Sequence, residues 1–200
     1  QARRDRGRAR PGEIRRQVRL VGRACRRGGG RACRRGGGPP MTTALVVVAS
    51  TRAAAGEYTD RTGPLLVDWL RGRGYDTPDP VIVADSDIPA YLDDLLQSAD
   101  LPRIVLTTGG TGISPGDRTV ASVRPHLTHE LPGLPAAVWR RGADNGVPTA
   151  LLSGAVAGVV RRSFIMTLPG SRGGVKDGIA VLDPVLDHIT AQLEGAGDHE

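Results

Sequence analysis

Two runs of small polar residues carry most of the chemistry this sequence can offer. The longer one reads Thr107, Thr108, Gly109, Gly110, Thr111, Gly112, and after Ile113 continues Ser114, Pro115, Gly116, Asp117, Arg118, Thr119. Glycines at 109, 110 and 112 let the backbone turn tightly and aim N–H groups at an anion. Thr108, Thr111 and Ser114 add hydroxyl donors. A helix starting near Thr119 would turn its positive dipole end toward a phosphate. The run is not a Walker A loop, since no Gly-Lys-Ser/Thr follows. It is not a standard dinucleotide fingerprint, since the third glycine is missing at the required spacing. A plain strand-to-helix turn accounts for such a loop equally well. Asp117 is what a simple phosphate cradle does not need. A carboxylate there makes sense where Mg²⁺ bridges it to phosphates.

Asp85 closes a second apolar run and belongs on the same edge as the glycine loop. Two carboxylates and a glycine loop on one edge can hold Mg²⁺ and a nucleoside triphosphate. Each carboxylate also has a plainer reading as a helix cap. The second polar run is Pro169, Gly170, Ser171. Ser171 can cap a helix or donate to a phosphate, and the cap is the default. Lys176, the only lysine, falls close to this edge. His126 and His129, three apart on an expected helix, have no third ligand and read as surface histidines.

These residues need a scaffold. Apolar runs at 44–49, 80–84, 103–108, 149–152 and 164–168 read as strands. Between them fall helical patterns. One covers 64–73 with Leu65, Leu66, Trp69 and Leu70. Another, capped by Ser86 or Asp87, carries Tyr91, Leu92, Leu95 and Leu96. Others run from about 119 to 129 and over 132–142. A last helix, capped by Asp183, carries Val185, Leu186, Ile189 and Leu193. Alternating strands and helices predict an α/β fold with a mainly parallel sheet covered on both faces, with ligands at the carboxyl ends of the strands.

Charge divides the chain at Met41. Residues 1–40 hold fourteen Arg against two acids, a net of +12; the remainder holds thirteen basic and nineteen acidic residues, a net of −6. The overall pI near 10.3 therefore describes two unlike segments. The first segment repeats Arg-Ala-Cys-Arg-Arg-Gly-Gly-Gly in tandem at 23–30 and 31–38. It buries too little apolar surface to offset its ordering entropy, so disorder is expected. It lacks the aromatics of a base-stacking arm, and the favoured reading is an extension outside the folded unit, with Met41 as natural start. Both cysteines, Cys25 and Cys33, lie in this repeat without a second ligand pair, which argues against zinc. Residues 41–200 have no cysteine, which fits a cytoplasmic protein. No apolar stretch reaches eighteen residues, so no membrane span is expected.

The ordered set of motifs through 44–193 resembles the MogA/MoaB-type molybdopterin adenylyltransferases of molybdenum cofactor synthesis. The matching pieces are 46–52, Tyr58 with Asp60 and Gly63, Val83 to Asp85, the two halves of the glycine run, Glu130 to Gly133, Leu152 with Ser153, Ala157 with Gly158, and Leu168 to Ser171. The resemblance implies a three-layer α/β fold and a homotrimer. It implies transfer of AMP from Mg-ATP to the terminal phosphate of molybdopterin, with handover to a molybdate-inserting enzyme. It puts Asp117 on the family's catalytic, Mg-linked aspartate and Asp85 on its second important aspartate. Gly109, Gly110, Thr111 and Gly112 would face phosphate, with Thr108 and Thr119 flanking them. Ser114, Ser153, Gly170 and Ser171 would line the pterin and nucleotide pocket.

Two departures stand out. Gly154 occupies a position where the family usually has Arg, and Ala136 one where many relatives carry Glu. Arg161 and Arg162 are the candidates to replace the lost cation. A noncatalytic pterin-binding protein of the same fold is the alternative reading. Nucleic-acid affinity, where present, is expected to vanish on deletion of residues 1–40, measured by filter retention of labelled RNA. Affinity that persists in residues 41–200 would contradict the division at Met41.

Overall fold

Ala44–Ala49 forms strand β1, and all six of its residues are buried. Burial on both faces explains why the run is apolar without alternation, as a parallel strand between two helical layers requires. The computed structural model describes residues 42–195. The expectations for the Arg/Gly-rich segment and its two cysteines lie outside the described residues.

After β1 come a short helix α1 (Thr51–Ala54), helix α2 (Gly63–Gly72), strand β2 (Val81–Val83), helix α3 (Ile88–Gln97) and strand β3 (Ile104–Thr108). Helix α4 (Thr119–Val123) leads through a 3₁₀ turn into strand β4 (His129–Glu130), and helix α5 (Gly133–Asp144) follows. Strands β5 (Ala157–Val160) and β6 (Ser163–Leu168) then precede helices α6 (Arg172–Leu182) and α7 (Leu186–Glu194). The six strands form one sheet in the order β2-β1-β3-β6-β5-β4. β2, β1, β3 and β6 run parallel, while β5 is antiparallel to both β6 and β4.

Side chains alternate across β1 and split the core in two. Val46 and Val48 face a cluster with Leu66, Leu70, Val138 and Val175, supplied by α2, α5 and α6. Leu45 and Val47 face another with Ile88, Tyr91, Leu92 and Leu95 of α3 and Val123 of α4. This is the three-layer α/β architecture the alternation predicts, with helices on both faces of a mainly parallel sheet. Among the described residues no helix is long and apolar enough to cross a membrane.

The structure corrects several expected elements. Residues 148–152 form a 3₁₀ turn, not a strand. Pro148 opens it, and Leu151 and Leu152 are exposed because no sheet neighbour covers them. The strand falls instead at Ala157–Val160, joined to β6 by a tight hairpin at Arg161 and Arg162. Arg161 takes φ 56°, the left-handed turn conformation that glycine or asparagine usually marks, so the hairpin was not legible from composition. The expected helix from 119 to 129 stops at Val123, since Pro125 cannot continue it, and His129 pairs with Val159 as an edge strand. His126 and His129 therefore lie on different elements. Asp183 ends α6 rather than capping α7.

A polar cluster joins α2 to the junction of α6 and α7. Asp183 accepts from the Trp69 indole and from Arg73, and Asp187 accepts from Arg73 and from the Tyr75 hydroxyl. The Tyr75 hydroxyl, with Arg73 beside it, holds the Asp187 carboxyl below its ordinary value of 3.8; Trp69 and Arg73 do the same for Asp183. A depressed carboxylate pKa contributes stability that is present above its unfolded value and is lost as pH falls through the folded one. Tyr75→Phe is expected to lower stability by about 1 kcal/mol at neutral pH, or about 2–4 °C in thermal unfolding. The gap should close as the pH is lowered past 3.8 and Asp187 protonates. A gap that stays constant with pH would assign the loss to packing instead.

Candidate functional site

The carboxyl ends of β1, β3 and β6 meet at one point of the sheet edge. β1 is flanked by β2 on one side and β3 on the other, so the chain reverses its winding direction there. Open α/β sheets bind ligands at such a crevice. Gly109 follows β3 with φ 92°, and its N–H donates to Leu168 O at 3.1 Å. A Cβ at Gly109 would overlap the Ala49 carbonyl, and a Cβ at Gly170 would lie 3.1 Å from Gly109 Cα. Thr108 Oγ1 donates to Pro169 O at 2.9 Å. The backbones of three loops thus touch, and only glycine fits where they do.

The rest of the glycine run folds back on itself. Gly110 has φ 64°, and its carbonyl accepts from Thr119 N at 3.1 Å. Its Cα faces the Thr119 side chain so closely that a Cβ would overlap Oγ1. Thr119 is fully buried and its Oγ1 has no partner among the described residues. Ser114 N donates to Asp117 Oδ2 at 3.0 Å, and a Cβ at Gly112 would lie 2.7 Å from that same oxygen. Asp117 therefore closes the loop beneath Gly112 and leaves Oδ1 without a hydrogen bond from the described residues. It does not cap α4, whose N-cap is Arg118. That helix has five residues, so its dipole is short.

Thr111 ties in the 3₁₀ segment before β5. Ser153 Oγ donates to Thr111 Oγ1 at 3.1 Å, and Gly154 N donates to Thr111 O at 2.7 Å. Ser171 caps α6, its Oγ accepting from Gly174 N at 3.1 Å, as its default reading expects. Asp85 stands apart. Its Oδ2 accepts from Thr51 N at 2.9 Å and Thr51 Oγ1 at 2.6 Å, which ties the end of β2 to the start of α1. It is the N-cap of neither neighbouring helix, since Ser50 caps α1 and Asp87 is the N-cap of α3. No hydrogen bond or ion pair links Asp85 to the glycine run among the described residues.

Two cavities flank the Pro169–Ser171 turn and share Ser171. The smaller, about 180 Å³, is bounded by Ser50, Thr108, Gly109 and Gly170, with Arg61 and Arg172 on its rim. Asp60 builds that rim. Its Oδ1 accepts from Thr62 N and Oγ1 and its Oδ2 from Gly63 N, capping α2. A Cβ at Gly63 would lie 2.5 Å from the same carboxylate, which explains the Asp60 to Gly63 spacing. The larger cavity, about 420 Å³, is bounded by Ser153, Ser171, Lys176 and Asp177 with apolar Val147 and Pro169. Its volume suits a small organic ligand. Arg61, Arg172 and Asp177 escaped the sequence reading because nothing local distinguishes them from surface charges.

Among the described residues no three His, Cys, Asp or Glu gather as a metal cage. Mg²⁺ carried in by phosphates typically takes one or two protein carboxylates and keeps several waters. Asp117 and Asp85 each keep one carboxylate oxygen free of hydrogen bonds from the described residues, so both fit that role. Arg161 and Arg162 do not replace the cation missing at Gly154. Arg161 donates to Leu96 O and Ser98 O and Arg162 to Leu193 O. They sit at the amino end of β6, roughly 17–20 Å along the strand from the loops.

Gly109→Ala is expected to destabilise the protein by about 1–3 kcal/mol from the positive φ alone, with further loss from overlap with Ala49 O. Chemical denaturation reads this directly. A neutral result would mean that the loops part without strain. Gly110→Val carries the same kind of collision, against Thr119, and is expected to destabilise the loop as well.

Comparison with known proteins agrees with this geometry. Residues 45–188 match the family model of a probable molybdopterin binding domain. The chain is 36% identical over 158 residues to the molybdenum cofactor biosynthesis bifunctional protein of Synechococcus elongatus, covering 78% of this chain and 48% of that one. The chain thus spans about half the length of that relative. It is 34% identical over 161 residues to molybdenum cofactor biosynthesis protein B of Staphylococcus epidermidis, covering 77% and 89%. The solved molybdopterin biosynthesis Mog protein of Mycobacterium ulcerans superposes with a TM-score of 0.70 at 40% identity, covering 76% and 99%. With residues 45–188 matching the family model and its fold in common with these proteins, the chain belongs to the MogA/MoaB family of molybdopterin-binding domains that serve molybdenum cofactor biosynthesis.

Proposed function

We propose that this chain transfers AMP from ATP to the terminal phosphate of molybdopterin, releasing pyrophosphate. The observation that carries this reading is the pair of cavities sharing Ser171 across the glycine loops. One offers a cationic rim beside N–H donors, which suits a nucleotide's phosphates. The other is larger and partly apolar, which suits a pterin ring. Their shared wall is where the two phosphates would meet.

A molybdopterin phosphate oxygen attacks the α-phosphorus of ATP. The new P–O bond forms as the bond from that phosphorus to the α,β-bridging oxygen breaks, and pyrophosphate leaves with the electron pair. The nucleophile is already anionic, so no Ser, Cys or His nucleophile is required. The protein's part is positioning and charge neutralisation. Backbone N–H groups of Gly110 to Gly112 face the phosphates, with the Thr111 and Ser114 hydroxyls beside them, while the Gly109 N–H and the Thr108 hydroxyl are taken by Leu168 O and Pro169 O and hold the loops together. Thr119 Oγ1, buried without a partner, backs Gly110. Arg61 and Arg172 draw the triphosphate into the smaller cavity. Asp117 Oδ1, with Asp85 as the second carboxylate, would hold Mg²⁺, which supplies charge neutralisation on the phosphates. The same reading carries homotrimeric assembly and delivery of the adenylylated pterin to a molybdate-inserting enzyme.

Molybdopterin, ATP and Mg²⁺ incubated with the protein are expected to yield adenylylated pterin by mass spectrometry. Asp117→Ala should keep its thermal midpoint and lose at least about 100-fold in turnover. A variant that melts early would make Asp117 a structural residue of the loop. One observation favours the noncatalytic alternative: Gly154 leaves the Thr111 wall without a cation. A Cβ there meets only Thr111 O at 3.6 Å and Val120 at 4.0 Å, so a side chain fits. Gly154→Arg is expected to raise turnover by about tenfold, in line with a charge-assisted hydrogen bond to phosphate. Pterin binding without product in both proteins would establish the binding role instead.

A further inference from the structure

The larger cavity contains one carboxylate, Asp177, whose presentation goes beyond a surface charge. Asp177 lies on α6, six residues past the Ser171 cap, and its side chain is only 13% exposed. Its Oδ1 accepts from Asn145 Nδ2 at 2.8 Å and lies 3.2 Å from Arg141 Nε, both presented at the end of α5. The arginine pairs with the carboxylate and the amide fixes its plane. Oδ2 accepts no hydrogen bond from the described residues. It faces Gly142, where a Cβ would stand 3.7 Å away. A Cβ at Gly142 would also stand 2.6 Å from the Ala150 Cβ, so the glycine lets α5 pack closely there, and both Gly142 and Asp177 border the cavity.

An anchored carboxylate with one free oxygen in a half-apolar cavity selects a ligand with N–H donors on a planar edge. A 2-amino-4-oxo pyrimidine edge presents two, N2–H and N3–H, side by side. A 2,4-dioxo edge lacks the first and turns a second carbonyl toward the carboxylate. Lys176, exposed on the neighbouring position of the helix, is free to serve the ligand's anionic end.

Resting on the pterin reading above, we propose that Asp177 is the specificity-determining residue for the pterin ring, its carboxylate accepting from the 2-amino-4-oxo edge while Arg141 and Asn145 act as positioning residues. A site that hydrogen-bonds a substrate N–H rejects analogues lacking it, because its own polar group is left unpaired.

The test uses the full chain and the intrinsic fluorescence of two ligands, a 6-(phosphooxymethyl)pterin and the matching lumazine, in which oxygen replaces the 2-amino group. The parent protein is expected to bind the pterin at least about tenfold more tightly. Asp177→Asn should bring the ratio close to one while the thermal midpoint stays near that of the parent. Retained discrimination in a folded Asp177→Asn protein overturns the assignment and leaves the pterin reading standing. Should that variant unfold, the parent protein alone decides with the 2-dimethylamino pterin, which keeps the ring but loses both N2–H donors. About tenfold weaker binding supports the assignment, since Asp177 is the one carboxylate bordering the cavity, and equal binding overturns it. Failure of the parent to bind any of the three ligands overturns the pterin reading itself, and this inference with it.

Discussion

The structure depends on a close approach of backbones at the carboxyl edge of the sheet. Gly109 lies against the Ala49 carbonyl on one side and Gly170 on the other, with its N–H bonded to Leu168 O. No side chain intervenes, so the loops after β1, β3 and β6 form a single surface. That contact requires the three strands to end level, and the parallel register does so: Val48 pairs with Thr108, and Thr108 with Leu168. Any side chain at position 109 would separate loops that the two cavities share.

Threonines carry this constraint into the core. Thr107 and Thr167 are fully buried and lie side by side in β3 and β6. Thr167 Oγ1 takes the N–H of Val156 at 2.8 Å, holding the segment that descends from Ser153 and Gly154. A valine of the same shape would fill the space but leave that N–H unpaired. Thr108 secures the Pro169 carbonyl in the same way. The position of the Ser153 wall is thus set from inside the sheet.

Charge is distributed unevenly around the edge. Arg61 and Arg172 meet at the smaller cavity. Lys176 stands at the larger one, next to an aspartate neutralised from α5. The wall at Gly154 has no cation. The arginines nearest to it in sequence, Arg161 and Arg162, are committed to carbonyls at the far end of β6. Sequence proximity misleads here because a strand carries its two ends to opposite edges of the sheet.

The sequence by itself determined the layered α/β class, the run of strands at 44–49, 103–108 and 164–168, and the placing of the glycine run and of Ser171 after strand ends. Those features follow from apolar periodicity and local glycine and cap chemistry, which act over a few residues. It could not settle the hairpin at Arg161, where a non-glycine residue is held at positive φ by its tertiary setting, nor the 3₁₀ turn at Pro148–Leu152, which an apolar run disguised as a strand. The tertiary structure alone decided that Asp85 binds the start of α1, that Asp60 builds the rim of a cavity, and that Asp177 is fixed by two residues 32 and 36 positions earlier. Such partners are brought together by helix packing across the sheet, and no local pattern in the chain records it.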